Sequence, residues 1–234
     1  MPENLEQHST FGHNTEIYYP GDTEEKEIIY PEQREDDMGE TSIHVRLVAN
    51  FLSVLMLFLK EREDVFLSAN MNLYYEEGNP NKWYAPDILI AFGVPNHDRS
   101  SYQIWKEPVP PQVIFEISSE RTWKTDISEK LEIYAQLGVE EYYILDPGFE
   151  FLPAPLMAFH RSGDRLLTSP VNNDRIPSAR LGLEIVRTEN NFRLYNPKTA
   201  TFLLTLDESE ERRHKVESEL EILKAEIERL RLER

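Results

Sequence analysis

The feature that most constrains this chain is a pair of apolar runs, each carrying one acid. Asp87 opens Asp-Ile-Leu-Ile-Ala-Phe after a proline, and Glu116 sits inside Val-Ile-Phe-Glu-Ile-Ser. Short, continuous runs rich in β-branched and aromatic residues read as central strands covered on both faces. A bare carboxylate is costly to bury, so each acid needs a base, an ammonium or a metal ion beside it. Alternation along the second strand places Ile114, Glu116 and Ser118 on one face and Val113, Phe115 and Ile117 on the other. Carboxylates from neighbouring strands can then converge on one hard cation. Mg²⁺ favours one or two carboxylates, completed by water and substrate phosphate oxygens. Either acid taken alone reads better as an ordinary ion pair at a strand end.

The surrounding pattern is mixed α/β (α+β). Residues 41–62 predict a first helix, with Ile43, Leu47, Phe51, Val54, Leu55 and Phe58 at helical spacing and Thr41 or Ser42 as cap. Strands follow over Val65–Tyr75, Trp83–Val94 and Gln112–Ser119, with a polar loop from Pro95 to about Pro111. A second helix spans Lys124–Leu137, stopped by Gly138, and a strand covers Tyr142–Leu145. The order helix, three strands, helix, strand makes the strands on either side of the second helix parallel. Beyond Asp146 lie strands at Leu156–His160, Arg165–Thr168, Gly182–Val186, Phe192–Tyr195 and Thr201–Leu204, a β-rich extension of the same domain.

Both ends read as appendages. Residues 1–40 are polar and punctuated by Pro and Gly, an extended or partly disordered arm with one short strand at Glu27–Tyr30. The tail from Asp207 to Arg234 has no Gly or Pro. Its Val216, Leu220, Leu223, Ile227 and Leu230 alternate spacings of four and three, the seam of a short coiled coil and a route to a homodimer.

The net charge of −18 argues against strong non-specific DNA affinity. More than half of it sits on the arm, however. Residues 1–40 hold 12 acids and 2 bases, residues 207–234 hold 10 acids and 7 bases, and −5 is left on 41–206. That middle part can still meet phosphate through a bound cation. With no cysteine there is neither a disulfide framework nor a thiolate metal site. None of the six histidines forms a ligand-spaced pair, which disfavours a zinc hydrolase. No nucleophile elbow, P-loop or dinucleotide turn is present. The acidic, polar N-terminus is not a signal peptide, and the Val45–Leu59 stretch is too short and too interrupted to span a bilayer. The expectation is a soluble cytoplasmic protein with no membrane partner.

On the second helix Asp126, Lys130 and Tyr134 lie four residues apart and share one face. Lys130 adjoins the apolar stripe, so its ammonium can reach the sheet and bind a phosphate oxygen or an attacking water. Taken alone, Asp126–Lys130 reads as a surface pair worth ~0.3–0.5 kcal/mol. His44, four residues after Glu40, precedes a long apolar face, where a lone histidine is more often structural.

Together these residues form a recognisable set: Ala85-Pro86-Asp87, then Val113-Ile-Phe-Glu116-Ile-Ser118-Ser, then Thr122, Asp126, Lys130 and Tyr134, then Gly138-Val-Glu-Glu-Tyr142-Tyr-Ile-Leu-Asp146. The set, with Leu73-Tyr-Tyr-Glu-Glu-Gly-Asn-Pro80 before it, resembles the Uma-type bacterial family of restriction-endonuclease-like proteins, a branch of the PD-(D/E)XK nuclease superfamily. The resemblance covers most of the chain. It implies an αβββαβ core over 41–206 with the active site at one end of the sheet, and a Mg²⁺-dependent endodeoxyribonuclease that also accepts Mn²⁺. It makes Asp87 and Glu116 metal ligands, helped by the carbonyl of Ile117. Ser118 stands where the superfamily lysine is expected, and the resemblance moves that role to Lys130, oriented by Asp126. Glu40 resembles an acid that some superfamily members place on the first helix, and His44 matches a family position. DNA is the implied substrate, and cutting both strands calls for a homodimer through the nuclease domain and tail. The alternative is a nuclease-fold module without catalysis, acting in nucleic-acid or protein assembly.

Overall fold

The computed structural model describes residues 41–189 and 191–232. The expected arm, its strand at Glu27–Tyr30, and Glu40 lie outside the described residues.

Helix α1 (Ser42–Leu59) starts where Thr41 caps it, the hydroxyl accepting from the His44 N–H. Its apolar stripe of Leu47, Phe51, Val54 and Leu55 is buried, whereas Ile43, expected in that stripe, is exposed at its first turn, as are Val45, Met56 and Leu57. By length and composition alone this 18-residue helix could cross a membrane, contrary to the shorter stretch expected from sequence. Here its inner stripe is committed to the sheet.

The strands are β1 (Val65–Ser68), β2 (Leu73–Tyr74), β3 (Trp83–Tyr84), β4 (Ile88–Phe92), β5 (Tyr102–Gln103) and β6 (Val113–Ile117). After β6 come α2 (Trp123–Asp126), α3 (Glu129–Leu137), β7 (Glu141–Leu145), β8 (Leu156–Ser162) and β9 (Arg165–Ser169). The chain continues through β10 (Arg175–Ser178), β11 (Leu183–Arg187), β12 (Phe192–Asn196), β13 (Thr201–Phe202) and α4 (Leu206–Leu232). A six-stranded sheet runs β1-β4-β6-β7-β8-β9. Only β6 and β7 pair in parallel within it, as a crossover through α2 and α3 requires. Strands β10 to β13 form a second sheet, and β3-β2-β5 a third.

Two apolar layers flank the main sheet. Val113, Phe115 and Ile117 pack with α1 and with Ile176, Leu183, Ile185 and Phe192 of the second sheet. Ile114 packs on the other side with Tyr134, Ala135 and Tyr142. The β-rich extension therefore closes the α1 side of one shared core. It is tied on by Glu141, which is 3% exposed and accepts from the hydroxyls of Tyr143 and Ser178 and the N–H of Arg180.

Three predicted elements are split. Val65–Tyr75 breaks after β1, where Asn70 takes φ +50 and its N–H donates to the Pro86 carbonyl. Trp83–Val94 breaks at Pro86, which leaves Asp87 immediately before β4. The second helix breaks at Ile127–Ser128, where Ser128 leaves helical backbone (φ −126, ψ −87). Gly138 ends α3 at φ +97, a left-handed conformation that side chains disfavour. Strand β10 was not expected, nor was β5, which lies inside the polar loop predicted from Pro95 to about Pro111.

Helix α4 opens on a capping box. The Thr205 N–H donates to Glu208 and the Glu208 N–H donates back to the Thr205 hydroxyl. Arg193 on β12 also holds Glu208 at 2.7 Å, which fixes the root of the helix to the second sheet.

Candidate active site

The site residues converge at the C-terminal end of β6, where the strand gives way to the turn leading into α2. Glu116 is the fourth residue of β6 and is 3% exposed. Being on the face of Ile114, it points toward α3, and Tyr134 donates its hydroxyl to Glu116 Oε1 at 2.7 Å. On the same helix face, one turn earlier, Lys130 places Nζ 3.0 Å from Glu116 Oε2 and 2.9 Å from Asp126 Oδ1. The face expected for Asp126, Lys130 and Tyr134 is therefore the one that meets Glu116, even though a helix break separates Asp126 from the other two.

The surface pair considered from sequence is corrected here. Asp126 is 0% exposed and Lys130 is 9% exposed. Tyr84 covers the ammonium, with its ring centroid 5.8 Å from Nζ. Ser118 donates its hydroxyl to Asp126 Oδ2 at 3.0 Å, and Tyr142 donates to the Asp126 main-chain carbonyl at 3.0 Å. Ser118 thus occupies the position of the expected lysine and supports the acid that holds Lys130.

Asp87 enters from the start of β4 and crosses toward α1. Its Oδ2 accepts the Ile117 N–H at 2.6 Å, and its Oδ1 lies 2.8 Å from His44 Nε2. His44, unassigned from sequence, is thus the helix α1 residue that orients Asp87. Ile117 touches the site through its N–H.

The electrostatics are unbalanced toward negative charge. Burial pushes the Glu116 carboxyl up to about 8, Asp126 and Asp87 add to the rise, and Lys130 and the Tyr134 hydroxyl oppose it. Burial alone would lower the Lys130 ammonium, but Glu116 and Asp126 outweigh it and hold the group above its ordinary value. Burial also raises the Tyr134 and Tyr142 hydroxyls, so both remain donors.

Beside this cluster lies a cleft of about 350 Å³ between the start of α1, the turn after β6 and the loop after β7. His44 and Ser118 line it, which puts it against both supports of the acids, and Arg121 is its cation beside Glu120 and Glu150. The far wall is set by buried Asp146, whose Oδ2 accepts the N–H groups of Phe151 and Leu152.

Of the residues singled out from sequence, Asp87, Glu116, Ile117, Asp126 and Lys130 come together. Glu40 cannot be placed. The strand alternation that grouped Glu116 with Ser118 was the available signal for Ser118. For His44 the signals were its place on α1 and its match to a family position, neither of which gave it a role. Among the described residues no three His, Cys, Asp or Glu side chains are arranged to hold a metal by themselves. A cation bound here would rest on two carboxylates and take its remaining donors from main chain, water or substrate.

No curated protein matches the chain. A crystal structure of a "putative nuclease belonging to DUF820" from Anabaena variabilis superimposes with TM-score 0.44 and 11% identity, covering 61% of this chain and 75% of that one. A family model described as "Uma2: Putative restriction endonuclease" matches residues 19–186, a span that contains Asp87, Glu116, Asp126 and Lys130. With well over half of its length matched, the chain belongs to the Uma2 family, the family described as "Putative restriction endonuclease".

Proposed function

We propose that this chain is a Mg²⁺-dependent nuclease that hydrolyses phosphodiester bonds of DNA, with 41–206 as its catalytic domain. The observation that carries this reading is the buried ion cluster. Lys130, on α3, reaches Glu116 and Asp126 within 3.0 Å at the strand end beside Asp87. The lysine absent at Ser118 is thereby supplied from the next helix.

The residues fit a divalent cation. Of three buried carboxylates, Glu116 and Asp126 share the Lys130 ammonium while Asp87 rests on His44 and the Ile117 N–H, and burial holds Glu116 near 8 when no further positive charge is present. Among the described residues each oxygen of Asp87 and Glu116 has one partner, and a carboxylate oxygen can accept two. Asp87 and Glu116, with the Ile117 carbonyl, would hold the ion, whose all-oxygen donor set suits Mg²⁺. The ion supplies Lewis acidity toward a phosphate oxygen.

The chain's own groups do the rest. Lys130 is ion-paired with Glu116 and Asp126, and an ammonium carries three protons, so one would remain for a substrate oxygen or the attacking water. Asp126 fixes that ammonium, and Ser118 and Tyr142 fix Asp126. Tyr134 holds Glu116, and His44 holds Asp87. A low-dielectric site of this kind spends little reorganisation on the developing charge of phosphoryl transfer.

The purified chain should nick or linearise supercoiled plasmid with Mg²⁺ or Mn²⁺. In Asp87→Ala and Lys130→Ala, checked for folding by circular dichroism, cleavage should fall by about 100-fold or more. Loss in Asp87→Ala alone would keep the nuclease and reject the role of Lys130. No cleavage on varied DNA, with no metal bound in calorimetry, would turn the assignment toward a nuclease-fold assembly module.

Arg121 is exposed and lines the cleft, and in this reading it would meet the substrate backbone. In Arg121→Ala the salt slope of DNA binding should drop by about 1, with KM raised and kcat kept. An unchanged slope would remove Arg121 from the substrate path.

A further inference from the structure

We propose that α4 is one strand of a parallel, in-register, two-stranded coiled coil formed with a second copy of this chain. The inference goes beyond the nuclease reading and stands independently of it.

Helix α4 runs from Leu206 to Leu232 without a single buried residue. Its seam residues Val216, Leu220, Leu223, Ile227 and Leu230 are each between 48% and 56% exposed. An apolar stripe of this length on a helix whose other positions are mostly charged, Ile222 and Leu232 being apolar exceptions, has no covering partner within the described residues. Its spacing of four, three, four, three assigns Leu220 and Ile227 to heptad position a and Val216, Leu223 and Leu230 to position d. Ile227 at a with Leu223 and Leu230 at d is the pairing that favours two parallel strands, whereas Leu220 at a and Val216 at d do not follow it, so the choice of two parallel strands rests chiefly on the flanking charges.

The charges beside the seam identify the occupant and its direction. Position g holds Arg212, Glu219 and Glu226, and position e holds Glu217, Lys224 and Arg231. In a parallel coil each g residue faces the e residue five positions later on the other strand. All three contacts are then between opposite charges: Arg212 with the second copy's Glu217, Glu219 with its Lys224, and Glu226 with its Arg231. An antiparallel coil sets g against g, so Glu219 and Glu226 would oppose acids of the second copy. The ion pairs α4 makes within itself, such as Arg229–Glu226 at 3.8 Å, are long and exposed and give little resistance to exchange.

About two heptads are marginal for an isolated coil. Here the first turn is already ordered by the Thr205–Glu208 capping box and by Arg193, so part of the ordering cost is met before a second copy arrives. A parallel coil joins both bodies at its N-terminal end.

Light scattering on the full chain should give twice the 27.5 kDa chain mass, falling to the single value in Leu223→Asp/Ile227→Asp. Because the chain has no cysteine, Val216→Cys and Leu230→Cys report direction cleanly. Each variant alone should form a disulfide-linked dimer on mild oxidation. Lys224→Glu should weaken association by about tenfold, and adding Glu219→Lys should restore it. A monomeric wild type would overturn the proposal. So would a dimer indifferent to Leu223→Asp/Ile227→Asp, or linkage only between Val216→Cys chains and Leu230→Cys chains.

Discussion

Lys130→Met is expected to lower the stability of the folded chain by about 3–5 kcal/mol, read as a lower urea midpoint at unchanged m-value. The size follows from what is left behind. Lys130 is buried between Glu116 and Asp126, and Asp126 is wholly enclosed. Without the ammonium, Asp126 keeps only the Ser118 hydroxyl on its side chain. Glu116, already raised by burial, loses the positive charge that opposes that rise. Methionine refills most of the volume, so the loss reports charge rather than a cavity. Lys130→Met with Asp126→Asn should therefore recover most of the stability while remaining inactive. A single variant as stable as wild type would show that the pair is not buried in solution. A double variant no better than the single would show that lost packing, not an orphaned acid, dominates. An exposed pair of the kind first considered for these two residues would cost under about 1 kcal/mol, so the two accounts are well separated.

How far this site could be read from sequence depended on the range of each interaction. Strand alternation is a two-residue rule, and it correctly put Glu116 with Ser118 opposite Phe115 and Ile117. Helical spacing is a four-residue rule, and it put Asp126, Lys130 and Tyr134 on one face despite the break at Ile127–Ser128. That break was hidden because Ile127, Leu131 and Tyr134 keep an unbroken apolar stripe across it. Strand β10 was hidden for a different reason. Pro177 cannot donate to a ladder and demotes the run, yet β10 is an edge strand, where proline is tolerated. The splits at Asn70 and Pro86 turn on local backbone conformation inside apolar runs that look continuous. What could not be read at all were pairings made by the fold. His44 and Asp87 are 43 residues apart, and the cover over Lys130 needs Tyr84 to arrive from β3.

Without a divalent cation, the chain should lose stability steadily between about pH 4.5 and 8, and Glu116→Gln should remove that loss. Glu116 has an ordinary value of 4.5 and is pushed up to about 8 in the fold, chiefly by burial. Its folded-state value is raised, so the folded chain holds this proton more tightly than the unfolded chain does. The stabilisation is complete below the unfolded value and disappears as pH rises through the folded one. Each pH unit in that window removes about 1.4 kcal/mol, up to about 5 kcal/mol across it. Other groups titrate in the same range, but they are common to wild type and Glu116→Gln, so the difference between the two curves isolates this carboxyl. Urea midpoints in EDTA should then show wild type approaching or exceeding Glu116→Gln near pH 5 and falling well below it by pH 8. Glutamine keeps an acceptor for Tyr134 and leaves Asp126 to pair with Lys130, so the variant should fold. Parallel curves over the whole range would mean that Glu116 is charged throughout and that Lys130 alone compensates it. The wild-type deficit at pH 8 is also the free energy that a bound cation can relieve. Added Mg²⁺ should raise the wild-type midpoint there and leave Glu116→Gln unmoved.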